Sequence, residues 1–439
     1  MKREEMTRIY PSLTRPIRTL ARRLKRLVHA HRAESTVPMR MRPACQASAL
    51  LLLGLLVVCR TPCPGAEPLD MTITHLFGLG QEPPILVSIS GLSGEAAQVL
   101  RFDLYVQGFA FTNAEAAQYQ VIGSNNGNIE ARVVQRINKS ELLGNRVYSG
   151  PFRRQVHHLA DDFVNAIPGH AKGIAQTRIM FKGQTGSTSE IYIADFDGYD
   201  AQPMTRDGSI VAAPCWVPHR LAAYYTSYKL NNADIFYHDF STGTRRVFAR
   251  YGGSNMSPAV SPDGSRVAMI LSKDGWTDLY VANAGGSNLR RLTKSPQDES
   301  SPCWSPDGQW ICYASKDGER RSLSVISPSG GAPRRLTTRL ASSPTEPDWS
   351  PDGKYIAFTS QNGGNFRIRV IPAEGGDAEG IAEGEDPSWA PNSRTLICAR
   401  RAGGKGNYVL SLLDVMTKQV KDVSRISTTS SDSQPSWAK

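Results

Sequence analysis

The sequence predicts a mainly β protein, in which a six-bladed β-propeller is closed by the C-terminal strand and preceded by a small N-terminal α/β domain. The first observation is a phrase of the type Pro-x-Trp-Ser-Pro-Asp-Gly, which recurs through the last two thirds of the chain. The second is its period, because successive lead prolines are 44, 44, 45, 40 and 48 residues apart. Repeats of about 40–50 residues built from short strands are typical of propeller blades. The lead prolines are Pro214, Pro258, Pro302, Pro347, Pro387 and Pro435.

One repeat, residues 301–337, shows how the phrase encodes a blade. Ser305-Pro306-Asp307-Gly308 is a turn, because proline presets φ, aspartate caps the turn through its side chain and glycine accepts positive φ. Apolar and aromatic stretches before and after this turn favour four short strands. We expect the tryptophan of each phrase to be a structural core residue. These tryptophans are Trp216, Trp304, Trp349, Trp389 and Trp437.

The order of the strands predicts how the ring closes. The stretch near Arg178 has the pattern of a blade's second strand, but no Pro-x-Trp strand precedes it. The last Pro-x-Trp strand, Pro435 to Ala438, has no second strand after it. The two fragments complete one blade if the C-terminal strand pairs with the start of the propeller. We therefore predict six blades over residues 171–439.

The net charge of +11 is concentrated at the N-terminus. Residues 1–66 hold 13 Lys/Arg and 3 Asp/Glu, whereas the rest holds 38 and 37. The near-neutral remainder argues against nucleic-acid binding. A basic run followed by an apolar stretch at 47–59 is typical of a signal peptide, with Met39 or Met41 as alternative starts. The stretch is short for a membrane span, so we expect a periplasmic protein that does not span the membrane after cleavage.

Residues 67–170 do not repeat and predict an α/β domain. Strands are expected near Pro84–Ile89, Gln118–Ile122 and Glu130–Val134, with helices over Gly94–Gln107 and Phe152–Ile167. In the second helix Arg154, His158 and Asp162 share one face at i, i+4 and i+8. No nucleophile accompanies them, so we interpret them as a structural polar lock between the helix and the propeller.

Two features of the chain bear on redox and metal chemistry, namely the cysteines and an acidic turn. Cys303 and Cys312 are either buried small apolar residues or partners in a hairpin disulfide, and no Cys/His spacing suits a metal. Asp195-x-Asp197-Gly-x-Asp200 carries carboxylates but lacks the glutamate of a calcium loop, so turn chemistry is favoured. We expect neither a metal nor another cofactor.

The mature chain as a whole resembles the TolB family, the periplasmic propeller proteins of the Tol-Pal system of Gram-negative envelopes. The resemblance rests on the signal peptide, the α/β domain, the helix with Arg154, His158 and Asp162, and the six blades. It implies a monomeric, non-enzymatic scaffold for outer-membrane integrity and cell division. The family docks a peptidoglycan-associated lipoprotein, Pal, at one propeller mouth, and its N-terminal segment engages inner-membrane TolA.

The resemblance also places the partner-binding loops, which lie just before the Pro-x-Trp strands. Because equivalent loops of six blades converge on one channel, polar side chains there can bind a protruding partner. The positions in this sequence are Ser254, Asn255, Ser257, Glu299, Ser300, Ser301, Thr345, Glu346, Glu385 and Asp386.

Two other functions compete with this interpretation. The same repeat precedes the catalytic domain of prolyl-oligopeptidase-type enzymes, but the chain lacks a Gly-x-Ser-x-Gly nucleophile elbow, since Gly91-Leu-Ser-Gly94 is one residue short. We therefore predict no catalytic residues. The alternative is a TolB-like envelope propeller that binds a different ligand, such as a glycan or another lipoprotein, because fold does not fix function.

Overall fold

The computed structural model describes residues 79–402, 406–423 and 429–438. The predicted signal peptide, the alternative starts Met39 and Met41, and the predicted TolA-binding segment up to residue 78 lie outside the described residues. The described residues from 79 onward belong to one compact unit.

The N-terminal part is an α/β domain, as predicted. Its five-stranded sheet has the order β2-β1-β3-β4-β5, in which β1 pairs in parallel with β2 and β3 while the β3-β4-β5 pairs are antiparallel. The two helices pack against each other and against the sheet. The elements are β1 Ile85–Ser90, α1 Gly94–Tyr105, β2 Phe109–Phe111, β3 Tyr119–Ser124, β4 Ile129–Gln135, β5 Glu141–Tyr148 and α2 Phe152–Ala166.

The rest of the described chain forms six four-stranded antiparallel sheets, the blades of a propeller. Blade 1 contains β6 Arg178–Thr185, β7 Thr188–Asp195 and β8 Gln202–Pro203, and blade 2 contains β9 Val211–Trp216, β10 Ala222–Ser227, β11 Asp234–Asp239 and β12 Arg245–Ala249. Blade 3 contains β13 Asn255–Val260, β14 Arg266–Leu271, β15 Asp278–Asn283 and β16 Arg290–Arg291, and blade 4 contains β17 Asp298–Trp304, β18 Ile311–Asp317, β19 Arg320–Ile326 and β20 Arg334–Arg335. Strand β21 Thr338–Arg339 follows, then blade 5 with β22 Pro344–Trp349, β23 Tyr355–Asn362, β24 Asn365–Pro372 and β26 Glu379–Glu383, while β25 Gly376–Asp377 pairs with β21. Blade 6 contains β27 Glu385–Trp389, β28 Thr395–Arg401, β29 Tyr408–Asp414 and β30 Val420–Asp422, and β31 Ser431–Trp437 follows.

The last strand closes the ring, as the strand order predicted. β31 pairs with β6 and becomes the inner strand of blade 1, with Trp437 opposite Ile179. Trp437 is 2% exposed, and its indole nitrogen donates to Oγ1 of Thr177 at 2.9 Å. The first blade is therefore built from both ends of the propeller sequence.

The α/β domain and the propeller share a hydrophobic core. One cluster of buried residues runs from Leu100 and Phe163 in the domain through Phe196 in blade 1 to Leu412 in blade 6. Burial of these apolar side chains removes their surface from water, which holds the α/β domain against blades 1 and 6.

The two edges of the propeller differ. We call the edge where the inner strands begin the mouth edge; its loops include 204–210, 228–233, 250–254 and 272–277. The edge where the inner strands end is the domain edge, because the α/β domain packs there. At that edge Oγ1 of Thr395 donates to the carbonyl of Val106 at 3.4 Å, and Nε2 of Gln419 donates to the carbonyl of Phe109 at 2.9 Å.

The cysteines of the described chain favour the first of the two predicted alternatives. Cys303 and Cys312 lie opposite each other on β17 and β18, and both are buried as thiols. They fill the core between neighbouring blades together with Phe358.

Candidate functional site

The inner strands of the six blades surround a cavity of about 430 Å³ on the propeller axis. Around it lie six equivalent residues, each directly before the lead proline of its strand, and we call them the neck ring. Each lies in the first half or at the middle of its inner strand, and the other lining residues follow it toward the domain edge, so the ring is the part of the cavity nearest the mouth edge. The neck ring consists of Ala213, Ser257, Ser301, Glu346, Asp386 and Gln434.

The backbone of the neck ring is left-handed in every blade. Its φ values are 48°, 51°, 50°, 52°, 54° and 50° in chain order, and each residue lies at a β-bulge between the first and second strands. A residue other than glycine held there costs about 1–3 kcal/mol. Because all six blades share this conformation whatever the side chain, it belongs to the architecture. The side chains therefore supply what differs from blade to blade.

Those side chains divide the ring into two halves. Blades 2, 3 and 4 contribute Ala213, Ser257 and Ser301, whereas blades 5 and 6 contribute Glu346 and Asp386. One side of the channel is thus lined by small groups and the other by carboxyl groups, with Gln434 of blade 1 between the two sides. A ligand in the channel meets an asymmetric electrostatic environment.

The larger neck-ring side chains bind the backbone of the next blade. Oε2 of Glu346 accepts from the N–H of Asp386 at 3.1 Å, and Oδ2 of Asp386 accepts from the N–H of Gln434 at 3.3 Å. Oε1 of Gln434 accepts from the N–H of Ala213 at 2.9 Å. Three successive blade junctions are therefore joined at the channel wall, and the two carboxyl groups are held in place before any ligand arrives.

The surroundings of Asp386 also shift its protonation. Burial and the neighbouring carboxylates of Glu346 and Glu385 raise the pKa of Asp386 well above its usual range. The carboxylates destabilise a second negative charge close by, so this side of the ring retains a proton more readily than an isolated aspartate would.

The structural tryptophans join neighbouring blades behind the ring. The indole nitrogens of Trp216, Trp304 and Trp389 donate to carbonyls of the preceding inner strand, those of Ser436, Ala259 and Asp348, at 2.9, 2.9 and 3.1 Å. Trp349 is also buried, but its indole donates to Gly353 within its own blade. All five tryptophans singled out from the repeat are thus core residues, and four of them, counting Trp437, bond outside their own repeat.

The predicted partner-binding residues divide into those that reach the channel and those that do not. Ser257, Ser301, Glu346 and Asp386 line it. Ser300, Thr345 and Glu385 are the residues immediately before the neck ring, where the pleat directs them away from the channel, and Ser254 precedes its strand in a mouth-edge loop. These four are partly exposed.

Asn255 and Glu299 are corrections to the predicted site, because both are buried. Asn255 is 0% exposed, and its amide bonds the backbone of the loop that leads into β13. Glu299 is 4% exposed, and Oε1 accepts from the hydroxyl of Ser295 at 3.0 Å. Burial raises the pKa of Glu299 to about 7. Both residues hold loops in place and cannot meet a partner directly.

Sequence reasoning missed Ala213 and Gln434 in the ring. The signal was present, since both directly precede a lead proline, as do the four ring residues that were identified. Ala213 offers no polar group and Gln434 lies in the last, shortened repeat, so neither stood out as a binding residue.

The polar lock between helix and propeller lies one residue earlier than predicted. Arg154 and His158 are exposed, and Asp162 pairs with Arg146 at 2.5 Å and with the hydroxyl of Tyr148 at 3.0 Å, within the α/β domain. At about 100° per residue, their face points away from the apolar stripe that includes Val156. The lock predicted from these three residues is therefore wrong.

The observed lock uses Arg153, His157 and Asp161, at the same spacing. Arg153 forms an ion pair with Asp197 in the turn that follows β7 in blade 1, and Asp197 is only 3% exposed. Nδ1 of His157 is 2.8 Å from a carboxylate oxygen of Asp103 on α1, and its Nε2 is 3.9 Å from a carboxylate oxygen of Asp197 in blade 1. Asp161 accepts from the N–H groups of Ala175 and Gln176 at 2.7 and 3.1 Å, in the segment that enters the propeller.

Burial shifts the titration of this lock. It raises the pKa of Asp103 to about 7, against the opposing effect of His157. Burial lowers the pKa of His157, but the hydrogen bond and charge of Asp103 outweigh it and the net shift is upward. Asp197, a member of the acidic turn considered for calcium, accepts the Tyr199 N–H at 3.0 Å and is engaged by Arg153. It therefore acts as a turn and interface residue.

The described residues contain neither a membrane-spanning helix nor a cluster of metal ligands. Neither helix there has the length and apolar character required to cross a bilayer. Within the same ranges no group of three or more His, Cys, Asp or Glu side chains has a geometry that could hold a metal ion.

The fold and the channel define a class of protein, the six-bladed β-propeller with Trp-Ser-Pro-Asp-Gly repeats and a polar ring at its mouth. The model of the family described as TolB beta propeller domain matches residues 167–439. The chain therefore belongs to this family, as the resemblance of the repeats predicted.

Individual relatives agree with this assignment over part of their length. The chain is 32% identical over 191 residues to the Tol-Pal system protein TolB of Bordetella pertussis and to that of Bordetella bronchiseptica. The match covers 43% of this chain and 43% of each relative, so it spans less than half their length. The crystal structure of TolB from Acinetobacter baumannii is similar with a TM-score of 0.72 and 22% identity, over 82% of this chain and 98% of that one. This likeness shows the fold.

Proposed function

We propose that this protein is a non-enzymatic periplasmic scaffold of the Tol-Pal system. It binds a peptidoglycan-associated lipoprotein at the mouth of the propeller and links it to inner-membrane Tol proteins, with a TolA-like partner engaged through the N-terminal segment. In this role it contributes to outer-membrane integrity and cell division. Family membership and the names of the Bordetella relatives support the system.

The observation that carries the binding site is the neck ring. Glu346 and Asp386 present carboxyl groups to the channel, while the α/β domain occupies the opposite edge of the propeller. The hydrogen bonds to the next blade hold both side chains in place, so little side-chain entropy is lost when a partner binds. A protruding polar group of the lipoprotein fits such a pre-formed, asymmetric channel.

The test measures binding of the soluble domain of the lipoprotein from the same envelope by calorimetry. Glu346→Gln and Asp386→Asn keep an oxygen that can accept the next blade's N–H but replace the carboxyl group by an amide. We expect each to weaken binding about tenfold, equivalent to about 1.4 kcal/mol, without lowering the melting temperature. The matched control is Glu374→Gln, since Glu374 is 90% exposed and lies at the domain edge of blade 5.

Three outcomes separate the possibilities. Weakened binding only in the neck-ring variants supports the proposal. Equal affinity in all variants would remove the ring from the interface. If the lipoprotein does not bind but muropeptides do, the function moves to an envelope propeller with a glycan ligand.

A further inference from the structure

Exposed aromatic side chains are concentrated on one part of the mouth edge. Among the described residues five aromatic side chains are counted as exposed, and three of them, Tyr228, Tyr251 and Trp276, lie in mouth-edge loops of blades 2 and 3. They are 40%, 36% and 50% exposed. Clustered exposed apolar groups, unlike single ones, mark interaction sites.

The loops that carry these aromatic residues are joined to one another. The N–H of Tyr228 donates to the carbonyl of Ile210 at 2.9 Å, and Ile210 is itself 45% exposed. Nδ2 of Asn232 donates to the carbonyl of Gly253 at 2.7 Å. The N–H of Ser254 donates to Oγ of Ser272 at 2.7 Å. The loops that carry Tyr228, Tyr251 and Trp276 are therefore contiguous, and we call their exposed surface the aromatic rim.

Each aromatic residue of the rim has a cation close by in the sequence, namely Lys229, Arg250 and Lys273. The side chains of Lys229 and Arg250 are 45% and 59% exposed, whereas the carboxylates they face, Asp207 and Asp234, are 0% exposed. The negative charges are thus inside the fold and the positive charges outside.

Other charged side chains on the same loops leave the surface charge positive. Arg245 already binds both oxygens of Asp207, at 2.5 and 2.6 Å, so Lys229 carries surplus charge. The more exposed Asp274 is paired with Lys273 at 3.0 Å. What a partner meets on blades 2 and 3 is an aromatic surface with positive charge.

We propose that the aromatic rim is a docking surface for a protein partner whose contacting face carries carboxylates around an apolar pocket. Tyrosine, tryptophan and arginine are the residues most enriched among those that dominate binding energy. The rim adjoins the neck ring, since the loop with Ile210 leads directly into the strand with Ala213. This inference rests on the proposed function and adds that the lipoprotein sits off the channel axis, over blades 2 and 3.

The first experiment compares two exposed tryptophans on opposite edges. Trp276→Ala should weaken binding of the lipoprotein's soluble domain at least tenfold, while Trp310→Ala, 43% exposed at the domain edge, should leave it unchanged. Lys229→Gln should weaken binding mainly at low ionic strength and reduce its salt dependence. Both alanine variants should keep the melting temperature of the wild type.

The outcomes distinguish this inference from the proposed function. If Glu346→Gln weakens binding and Trp276→Ala does not, the neck-ring interface stands and the rim is overturned. If the lipoprotein does not bind the wild-type protein, the proposed function fails. In that case a photo-crosslinking amino acid placed at position 276 in intact envelopes tests whether the rim is a docking surface. An adduct whose crosslinked peptide, identified by mass spectrometry, carries carboxylates beside apolar residues, and which is absent when the same group is at position 310, would support the rim. A glycan adduct or no adduct would overturn it.

Discussion

The main-chain N–H of Ala213 donates to Oε1 of Gln434 at 2.9 Å, although 221 residues separate them in the sequence. The bond joins the inner strand of blade 2 to the strand that completes blade 1. It closes the propeller at the channel wall, in the same ring that presents Glu346 and Asp386 to a ligand. The closure of the fold and the geometry of the candidate site are therefore one feature.

Removal of the Gln434 amide tests this relationship. Gln434→Ala leaves the Ala213 N–H without its acceptor near the channel, which should lower the free energy of unfolding by about 1–3 kcal/mol. Urea unfolding followed by tryptophan fluorescence measures the change. Gln202→Ala, on the exposed outer strand of blade 1, is the control and should change stability by less than about 0.5 kcal/mol. Equal stability of the two variants would show that the bond does not hold the closure.

Trp437 should be the residue on which ring closure depends most. It is 2% exposed and bonds Thr177, so Trp437→Ala creates a cavity and should cost about 3–5 kcal/mol. Trp310→Ala removes the same side chain from a surface position and should cost far less. Deletion of residues 431–439 should open the ring. A truncated protein that melts like the wild type would contradict the closure by β31.

The interface lock offers a comparison between neighbouring arginines. Arg153→Ala leaves the buried carboxylate of Asp197 without its ion pair, which should cost about 3–5 kcal/mol. Arg154→Ala changes an exposed position one residue later and should cost less than about 0.5 kcal/mol. Hydrogen exchange in α2 and in the Phe196–Tyr199 turn should increase only in the Arg153 variant. The reverse result would restore the lock predicted from the sequence.

The buried Glu299 should make stability depend on pH. Its pKa rises from 4.5 to about 7 on folding, so the native state binds more protons than the unfolded state between these values. The contribution of Glu299 is fully present below pH 4.5 and is lost as the pH rises to about 7, a change of about 3 kcal/mol. Glu299→Gln keeps an acceptor for Ser295 and removes this titration.

Urea unfolding at several pH values between 4.5 and 8 measures the effect. The difference in unfolding free energy between Glu299→Gln and the wild type should grow in favour of the variant as the pH rises. Comparison with the variant isolates Glu299 from Asp103, whose pKa is also raised to about 7 by burial. A difference that stays constant with pH would show that Glu299 is charged at neutral pH in the folded protein.

The two helices and three of the five strands of the α/β domain could be predicted, because local patterns specify them, whereas β2 and β5 were not predicted. The helix over Phe152–Ala166 follows from its apolar stripe and from the proline that ends it. The polar face of that helix that meets the propeller lies one residue earlier than the sequence pattern indicates. Apolar periodicity defines the buried stripe of the helix, but a row of polar residues borders the stripe on each side. Only the position of blade 1 determines that the row with Arg153 and His157 is the one in contact with the propeller.

The candidate site was predictable in part for a similar reason. The repeat located the loops, and Ser257, Ser301, Glu346 and Asp386 proved to line the channel. Asn255 and Glu299 looked equally suitable in the sequence, since a polar residue before a strand can face either solvent or the interior. The β-bulge decides this, because it directs the residue before each proline inward.

The sequence by itself determined the number of blades, their strands and the strand that closes the ring, because a period of about 44 residues and alternating apolar positions are local properties of the chain. Only the tertiary structure decided which distant residues come together: Gln434 with Ala213 at a blade junction, Arg153 with Asp197 between α2 and blade 1, and the loops of Tyr228, Tyr251 and Trp276 along one edge. These contacts depend on how the blades pack around an axis and on where the α/β domain packs against them. That packing brings together residues from repeats far apart in the chain, and no local pattern records it.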